Sequence, residues 1–349
     1  MQQKDIIDAF ERLGLIMTAV GRGEEWPGYT SGITETEFNS FSGLVTKQFF
    51  HNGWFTIENV NKSLLSLGGL LSQSELKNWL STYSYTSQPK KVAIIMAGNL
   101  PLVGFHDFLS VLLSGNHAVC KLSSDDKQLL PALATFLIEF APDLKGRMTF
   151  TDARIGQVDA VIATGSDNSS RYFEQYFGKY PHVFRRNRTS VAVLDGSETK
   201  EEIYLLGHDI FDFFGLGCRN VAHLLLPEGF DLNRFFEGIV EHSFVIQHNK
   251  YANNYDYNKA VYLLNKLPLL DNNFVLLRES TDLFSPLGMV HDHYFKTNQD
   301  VKNYLSLHEE NIQAIVGHGF IQFGCAQKPT LCDYADGIDT VRFLNSLVN

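Results

Sequence analysis

No run in this 349-residue sequence approaches the ~18 consecutive apolar residues that a membrane-crossing helix needs. The opening MQQKDIIDAFERLG has no basic stretch followed by an apolar core, so no export signal is read there. Cysteine is scarce: Cys120, Cys218, Cys325 and Cys332 are the four. Without an export signal, that count points to reduced thiols in a cytoplasmic setting rather than a disulfide framework. Positive charge is in deficit, with Lys+Arg 29 against Asp+Glu 39 and a net charge of -10. This excludes a broad polyanion-binding face, and nucleic acid is not an expected partner. Arg185, Arg186 and Arg188 form one local basic patch. Cys325 and Cys332 are too far apart for a C-x₂₋₄-C knuckle and have no second pair. His291-Asp-His293 lacks a third ligand in its vicinity and is read as a surface loop, so no metal is expected. The G-x-G-x-x-G fingerprint of dinucleotide sites is missing, as are internal repeats and low-complexity tails.

What is present is an ordinary globular composition, 44% hydrophobic and 19% charged, in a chain long enough for two α/β lobes. IIDAFERLGLIMTAV, residues 35–51 and LLSQSELKNWLSTY read as helices, the last capped by Ser72 or Ser74. At Lys91 the texture changes. VAIIMAG is a short continuous apolar run, the mark of a strand covered on both faces. A helical pattern follows with apolar positions 105, 108, 109, 112 and 113, then the strand HAVCKLS, which together make a βαβ unit. The helix LLPALATFLIEFAPDL comes next, with Pro131 in its first turn. VDAVIATG, TSVAVLDG, NVAHLLLP, NNFVLLRES and AIVGHGFIQFG read as further strands. DNSSRYFEQYFGK, EEIYLLGHDIFDFFG, FDLNRFFEGIVEHS and DVKNYLSLHEEN read as the helices between them.

Three places carry polar groups where α/β sheets bind ligands. Lys121, Ser123 and Ser124 end a predicted parallel strand. Thr164-Gly165-Ser166 ends another and opens a helix, whose free N–H groups suit a phosphate. Cys218 sits in a glycine-containing turn between a helix and a strand, beside Arg219 and Asn220. Taken alone it reads as a packed core cysteine or as a nucleophile, and the residues by themselves leave both open.

The order of these pieces resembles the aldehyde dehydrogenase superfamily, and more closely its acyl-CoA reductase branch, the LuxC family, from about residue 90 onward. Ala97-Gly-Asn-Leu-Pro101 is similar to the family segment whose asparagine lines the oxyanion hole, which makes Asn99 a catalytic candidate. Gly115-Asn-His-Ala-Val-Cys-Lys121 followed by Leu-Ser-Ser124 is similar to the strand ending in the lysine that contacts the adenosine ribose. Thr164-Gly165-Ser166 resembles the turn beside the pyrophosphate, and Phe214-Gly-Leu-Gly-Cys218 the segment of the nucleophilic cysteine. Asp282-Leu-Phe284-Ser-Pro286 resembles the segment whose acid holds the nicotinamide ribose. The resemblance implies an aldehyde dehydrogenase-like α/β fold of two Rossmann-like three-layer lobes with a small oligomerisation arm. It divides the chain into residues 1–195 (N-terminal helices and cofactor lobe), 196–320 (catalytic lobe) and 321–349 (a segment returning to the cofactor lobe or to an oligomer interface).

Two departures from the family pattern bear on chemistry. Hydrolytic members carry a glutamate in an E-L-G-G segment, whereas His182-Val-Phe-Arg-Arg-Asn-Arg-Thr189 stands here with no acid. Many NAD-preferring members carry a glutamate three residues after the lysine, where this chain has Ser124. The resemblance thus implies a homo-oligomeric reductase that takes an acyl-CoA or other acyl thioester and NADPH, or NADH, to an aldehyde through Cys218. An oxidative CoA-acylating aldehyde or semialdehyde dehydrogenase and a catalytically silent acyl-binding subunit stand as the alternatives.

Overall fold

A computed structural model describes residues 2–165 and 167–347. The chain forms two compact units, Met1–Arg186 with Thr330–Asn349, and Asn187–Pro329. Both are α/β with parallel sheets, as the alternation of buried runs and amphipathic segments requires.

The first unit opens with α1 (Gln3–Gly21), α2 (Glu35–Thr46), α3 (Ile57–Gly69) and α4 (Gln73–Leu80). Caps set their starts: Thr34 and Glu37 form a capping box on α2, Thr56 caps α3, and Ser72 rather than Ser74 accepts from the N–H of Glu75 on α4. The sequence pattern does not reveal α3, whose ends are polar and glycine-rich. It forms because it can approach α1 closely. A Cβ on Gly14 would lie 2.8 Å from the Gly68 carbonyl, and one on Gly68 would lie 3.0 Å from the Gly14 carbonyl. The two glycines thus admit each other's backbone. Phe10 of α1 meets Phe105 and Phe108 edge-on, closing the core over the sheet.

The sheet itself follows β1 (Lys91–Ile95), α5 (Phe105–Leu113), β2 (His117–Lys121), α6 (Leu129–Phe140), β3 (Met148–Thr151), β4 (Ala160–Thr164), α7 (Asp167–Phe177) and β5 (His182–Arg185). Its order is β3-β2-β1-β4-β5, parallel throughout. After running outward from β1 to β3, the chain crosses to the other side of β1. The carboxyl ends of β1 and β4 therefore flank a topological switch point, where open α/β sheets leave a crevice. At the far edge Arg185 makes a bidentate ion pair with Asp107 of α5, both nearly buried, and also bonds Thr340 Oγ1 at 2.9 Å. The expected basic patch is corrected accordingly: Arg185 is consumed inside the unit, and Arg188 donates to the carbonyl of Ile312.

The second unit contains β6 (Thr189–Val193), α8 (Lys200–Phe211), β7 (Val221–Pro227), α9 (Leu232–Gly238), α10 (Asn249–Leu264), β8 (Leu270–Asp271), β9 (Leu276–Glu279), β10 (Met289–Phe295), α11 (Asn298–Leu307) and β11 (Ile312–Gly317). The sheet order is β11-β6-β7-β10-β9-β8, antiparallel only between β8 and β9. Residues 187–195, grouped by sequence with the cofactor lobe, supply β6 to this sheet, and the chain re-enters the first unit at Thr330, where α12 (Thr340–Ser346) completes it.

Two elements of the second unit escape the sequence pattern. In α10 the inward residues are Tyr251, Tyr255 and Asn258, which look polar on a hydrophobicity scale. Each has a partner: Tyr251 donates to the Phe274 carbonyl at 3.0 Å, Asn258 to that of Leu287 at 2.9 Å, and Tyr255 to the Asp271 carboxylate. The other is β10. His291-Asp-His293, expected in a surface loop, lies in a central strand with His291 and Asp292 buried. No helix among the described residues is long and apolar enough to cross a membrane.

Candidate active site

In the first unit the candidate residues gather at the carboxyl ends of the strands around the switch point. Asn99 is exposed on the loop after β1. Two anchors fix that loop. The N–H of Leu102, itself left-handed at φ 60°, donates to Asp126 Oδ2 at 2.8 Å, and the Asn52 amide donates to the carbonyl of Gly98 at 3.4 Å. Burial pushes the Asp126 carboxyl up to about 6, against the pull of the backbone N–H groups of Leu102 and Leu129. Gly98 lies directly against the neighbouring loop: a Cβ there would come 2.4 Å from Ser123 Oγ. The Asn99 and Ser123–Ser124 loops are thus packed into one rim.

Lys121, at the end of β2, spends its ammonium on the carbonyls of Asp152 and Ala153, both at 3.0 Å. Ser123 accepts from the N–H of Asp125 at 3.2 Å, and Ser124 faces solvent. Thr164 and Gly165 end β4 beside β1. A Cβ on Gly165 would meet Ser169 Cβ at 2.8 Å and the Phe173 ring at 3.0 Å, so the start of α7 needs this glycine to sit close to the strand. Ser166 lies outside the described residues. A cradle kept open by glycine, hydroxyls on the rim and a helix start at the switch point suit the pyrophosphate and ribose of a dinucleotide.

In the second unit Cys218 is exposed in the turn before β7, whereas Cys120 is buried in β2, where burial drives its thiol pKa upward. The turn is shaped by α8. The sequence pattern extends this helix to Gly215, but it stops at Phe211, and Phe213, Phe214 and Gly215 take left-handed conformations at φ 53°, 58° and 77°. Bulky residues avoid that region, at a cost of roughly 1–2 kcal/mol each. Asn220 is what holds the chain there. Its amide donates to the carbonyls of Asp209, Ile210 and Asp212 at 3.2, 3.2 and 2.8 Å, and its Oδ1 accepts from the N–H of Gly217 at 2.8 Å. One buried side chain therefore caps the frayed carbonyls of α8 and ties down the residue before Cys218. Ser190 Oγ adds a hydrogen bond to the Cys218 carbonyl at 3.0 Å.

Arg219 is fixed as well. Its Nε donates to the Ala326 carbonyl, and the N–H groups of Ala326 and Gly324 donate to buried Asp209 at 2.8 and 2.7 Å. Burial raises the Asp209 carboxyl to about 6 while those N–H groups hold it down. Sequence reasoning missed Asn220 and Asp209. The signal available was an asparagine two residues past the cysteine, placed to close a turn. Asn220→Ala is expected to cost about 2–3 kcal/mol of stability, because several buried carbonyls lose their donor, and to reduce turnover far more than that loss of folded protein explains. Chemical denaturation alongside kcat reads both.

A cavity of about 190 Å³ lies under this loop, lined among others by Phe214, Leu216, Tyr251, Leu287 and Met289. Asp282 and Phe284 are exposed on the loop between β9 and β10.

Among the described residues, the donors that could gather a metal are Asp195, Glu198 and His318, with ligand atoms within 4.8 Å of one another. His318 already bonds Asp195 through Nδ1 and Glu202 through Nε2, each at 2.9 Å. Those two bonds, to Glu202 first and Asp195 second, raise its pKa from 6.5 to about 9. Since the folded value is the higher one, the stabilisation is complete below pH 6.5 and is lost as pH rises through about 9. The melting-temperature difference between the parent and His318→Gln is therefore expected to shrink between pH 6 and about 9.5.

Residues 69–233 match the acyl-CoA reductase (LuxC) family. A long-chain acyl-protein thioester reductase from Aliivibrio fischeri is 25% identical over 148 residues, 38% of this chain and 31% of that protein. The matched part is thus under a third of that relative's length. Among solved structures, a succinic semialdehyde dehydrogenase from Streptococcus pyogenes in complex with NADP+ aligns with TM-score 0.61 and 11% identity, covering 89% of this chain and 76% of its own. An acetylating aldehyde dehydrogenase from Geobacillus thermoglucosidasius aligns with TM-score 0.58 and 11% identity over 90% and 76%. An aldehyde dehydrogenase from Mycobacterium tuberculosis complexed with NAD+ gives 0.56 and 12% over 88% and 72%. At these identities the structures show the fold, which is that of the aldehyde dehydrogenases.

Proposed function

We propose that this chain, which matches the acyl-CoA reductase (LuxC) family over residues 69–233 within an aldehyde dehydrogenase fold, reduces acyl thioesters to aldehydes. The observation that carries the reading is the exposed Cys218 on a strained turn stapled by Asn220. Its thiolate attacks the thioester carbonyl, forming a new C–S bond, and coenzyme A leaves as its thiol after taking a proton. Asn99 donates to the oxygen on which charge develops during that attack.

Lys121, Ser123, Ser124, Thr164, Gly165 and Ser166 would hold the adenosine and pyrophosphate of the cofactor, and Asp282 with Phe284 its nicotinamide end. When bound, the cofactor supplies the hydride that makes the acyl carbon an aldehyde and restores the Cys218 thiol. The balance is acyl-CoA, NADPH and a proton to aldehyde, coenzyme A and NADP+. The stretch 182–189 contributes no acid to activate water, and Arg185 within it is taken up by Asp107, so the acyl group is kept for reduction rather than hydrolysis. NADPH is the proposed donor because Ser124 brings no carboxylate against a 2′-phosphate.

The test is NADPH and NADH oxidation with acyl-CoAs of graded chain length. Acyl-dependent oxidation with aldehyde formed in equal amount supports the reading. Oxidation without aldehyde, or none with any acyl-CoA, sinks it.

A further inference from the structure

Asp282 is exposed, yet its backbone is gripped from inside the sheet. Its carbonyl accepts from two imidazoles at once, His223 Nδ1 at 3.1 Å and His291 Nδ1 at 2.9 Å. The two histidines are register partners on the adjacent strands β7 and β10, 0% and 2% exposed. A carbonyl can only accept, so each ring carries its proton on Nδ1 and presents a bare Nε2. Neither Nε2 has a hydrogen-bond partner within the described structure. Burial lowers both pKa values, His223 to about 3, so the rings stay neutral across the physiological range.

Two unpartnered buried acceptors at paired positions weaken a sheet that leucine would fill without penalty. The benefit that offsets them lies on the other side of each ring. Around Asp282 the loop is fixed almost residue by residue. The N–H of Asp282 donates to Ser280 Oγ at 3.1 Å, the N–H of Ser280 donates to the Asp292 carbonyl at 2.9 Å, and Leu283 is buried. Tyr304 stacks on His223 with ring centroids 5.1 Å apart and donates to the Thr281 carbonyl at 3.4 Å. The Asp282 side chain itself faces outward, beside those of Thr281 and Phe284.

We infer that His223 and His291 are positioning residues, whose paired hydrogen bonds to the Asp282 carbonyl aim its carboxylate at the ribose hydroxyls of the nicotinamide cofactor. The inference rests on the assignment of Asp282 proposed above.

The test uses His223→Leu, His291→Leu, the two asparagine variants and Asp282→Ala in the full chain. Leucine removes the donor. Asparagine returns an N–H near the place of Nδ1. NADPH affinity is read by fluorescence titration, acylation of Cys218 by acyl-CoA without cofactor, and stability by melting. The leucine variants are expected to bind NADPH about ten- to a hundredfold more weakly, because a small misplacement of a clamping group carries that penalty. Their acylation rate and melting temperature should not fall, since an unpartnered acceptor has been removed, and asparagine should recover most of the affinity. If a leucine variant does not fold, phenylalanine at the same position removes the donor while keeping a ring. Unchanged affinity in the leucine or phenylalanine variants, with a large loss in Asp282→Ala, overturns the inference alone. Unchanged affinity in Asp282→Ala overturns the ribose assignment and the inference with it. Affinity, acylation and melting temperature falling together, without rescue by asparagine, show packing residues and overturn it too.

Discussion

Cys218→Ala is expected to lose thioester reduction by a factor on the order of 10⁴ or more while binding NADPH normally. The size follows from the chemistry. Without the thiol no acyl-enzyme forms, and binding alone brings the thioester no nearer to aldehyde. Cys218→Ser is expected to fall almost as far, because an alcohol is far less ionised than a thiol near neutral pH. Stability should change little, since the side chain is exposed and the turn is held by Asn220, Ser190 and the backbone. The other cysteines are the controls. Cys332→Ala removes an exposed thiol and should leave turnover unchanged. Cys120→Ala empties a buried position in β2 and should lower the melting temperature without abolishing acylation. Wild-type-like turnover by either Cys218 variant ends the nucleophile assignment.

Asn99→Ala is expected to slow acylation about 10²–10³-fold, the usual effect of deleting one oxyanion donor, equivalent to about 3–4 kcal/mol of barrier. The expectation has structural support. The loop is not free to swing its donor, because Asp126 holds the N–H of Leu102 and Ser123 leaves no space at Gly98. Since Asn99 is exposed, its loss should barely alter melting, and NADPH affinity should stay within about twofold. Asn99→Asp separates charge from shape: it keeps the volume but puts an acceptor where a donor is needed, and should be at least as slow as alanine. Rapid-quench measurement of coenzyme A release isolates this step. A release rate equal to the parent's would remove Asn99 from the mechanism.

The sheets were legible wherever a short apolar run makes up most of a strand. VAIIMAG, HAVCKLS and NVAHLLLP announce buried parallel strands because both faces need covering; β2 and β7 lie within them, and β1 begins one residue before VAIIMAG, at Lys91. The strand β10 was not, because its core residues are His291 and Asp292, which any hydropathy pattern counts as surface. What makes His291 tolerable is the Asp282 carbonyl, which it shares with His223 of the neighbouring strand β7. The same holds for α10, whose Tyr251 and Asn258 donate to the carbonyls of Phe274 and Leu287 and whose Tyr255 donates to the Asp271 carboxylate.

At the site, a thiol in a turn between a helix and a strand could be read directly. The left-handed path through Phe213 and Phe214 could not, because a run of aromatic residues in helical phase looks like more helix. The helix ends early because Asn220 takes its last carbonyls, a long-range competition that propensity does not describe. The partition of the chain at Arg186 was equally hidden, since β6 reads the same in either sheet until its partners β7 and β11 are known.

The most direct measurement of the central claim is the mass of the protein after exposure to an acyl-CoA without nicotinamide, followed by peptide mapping. One acyl group per chain is expected, on the peptide containing Cys218, and NADPH should then discharge it as aldehyde. An acyl group carried elsewhere, or turnover to aldehyde with Cys218 never acylated, would contradict it.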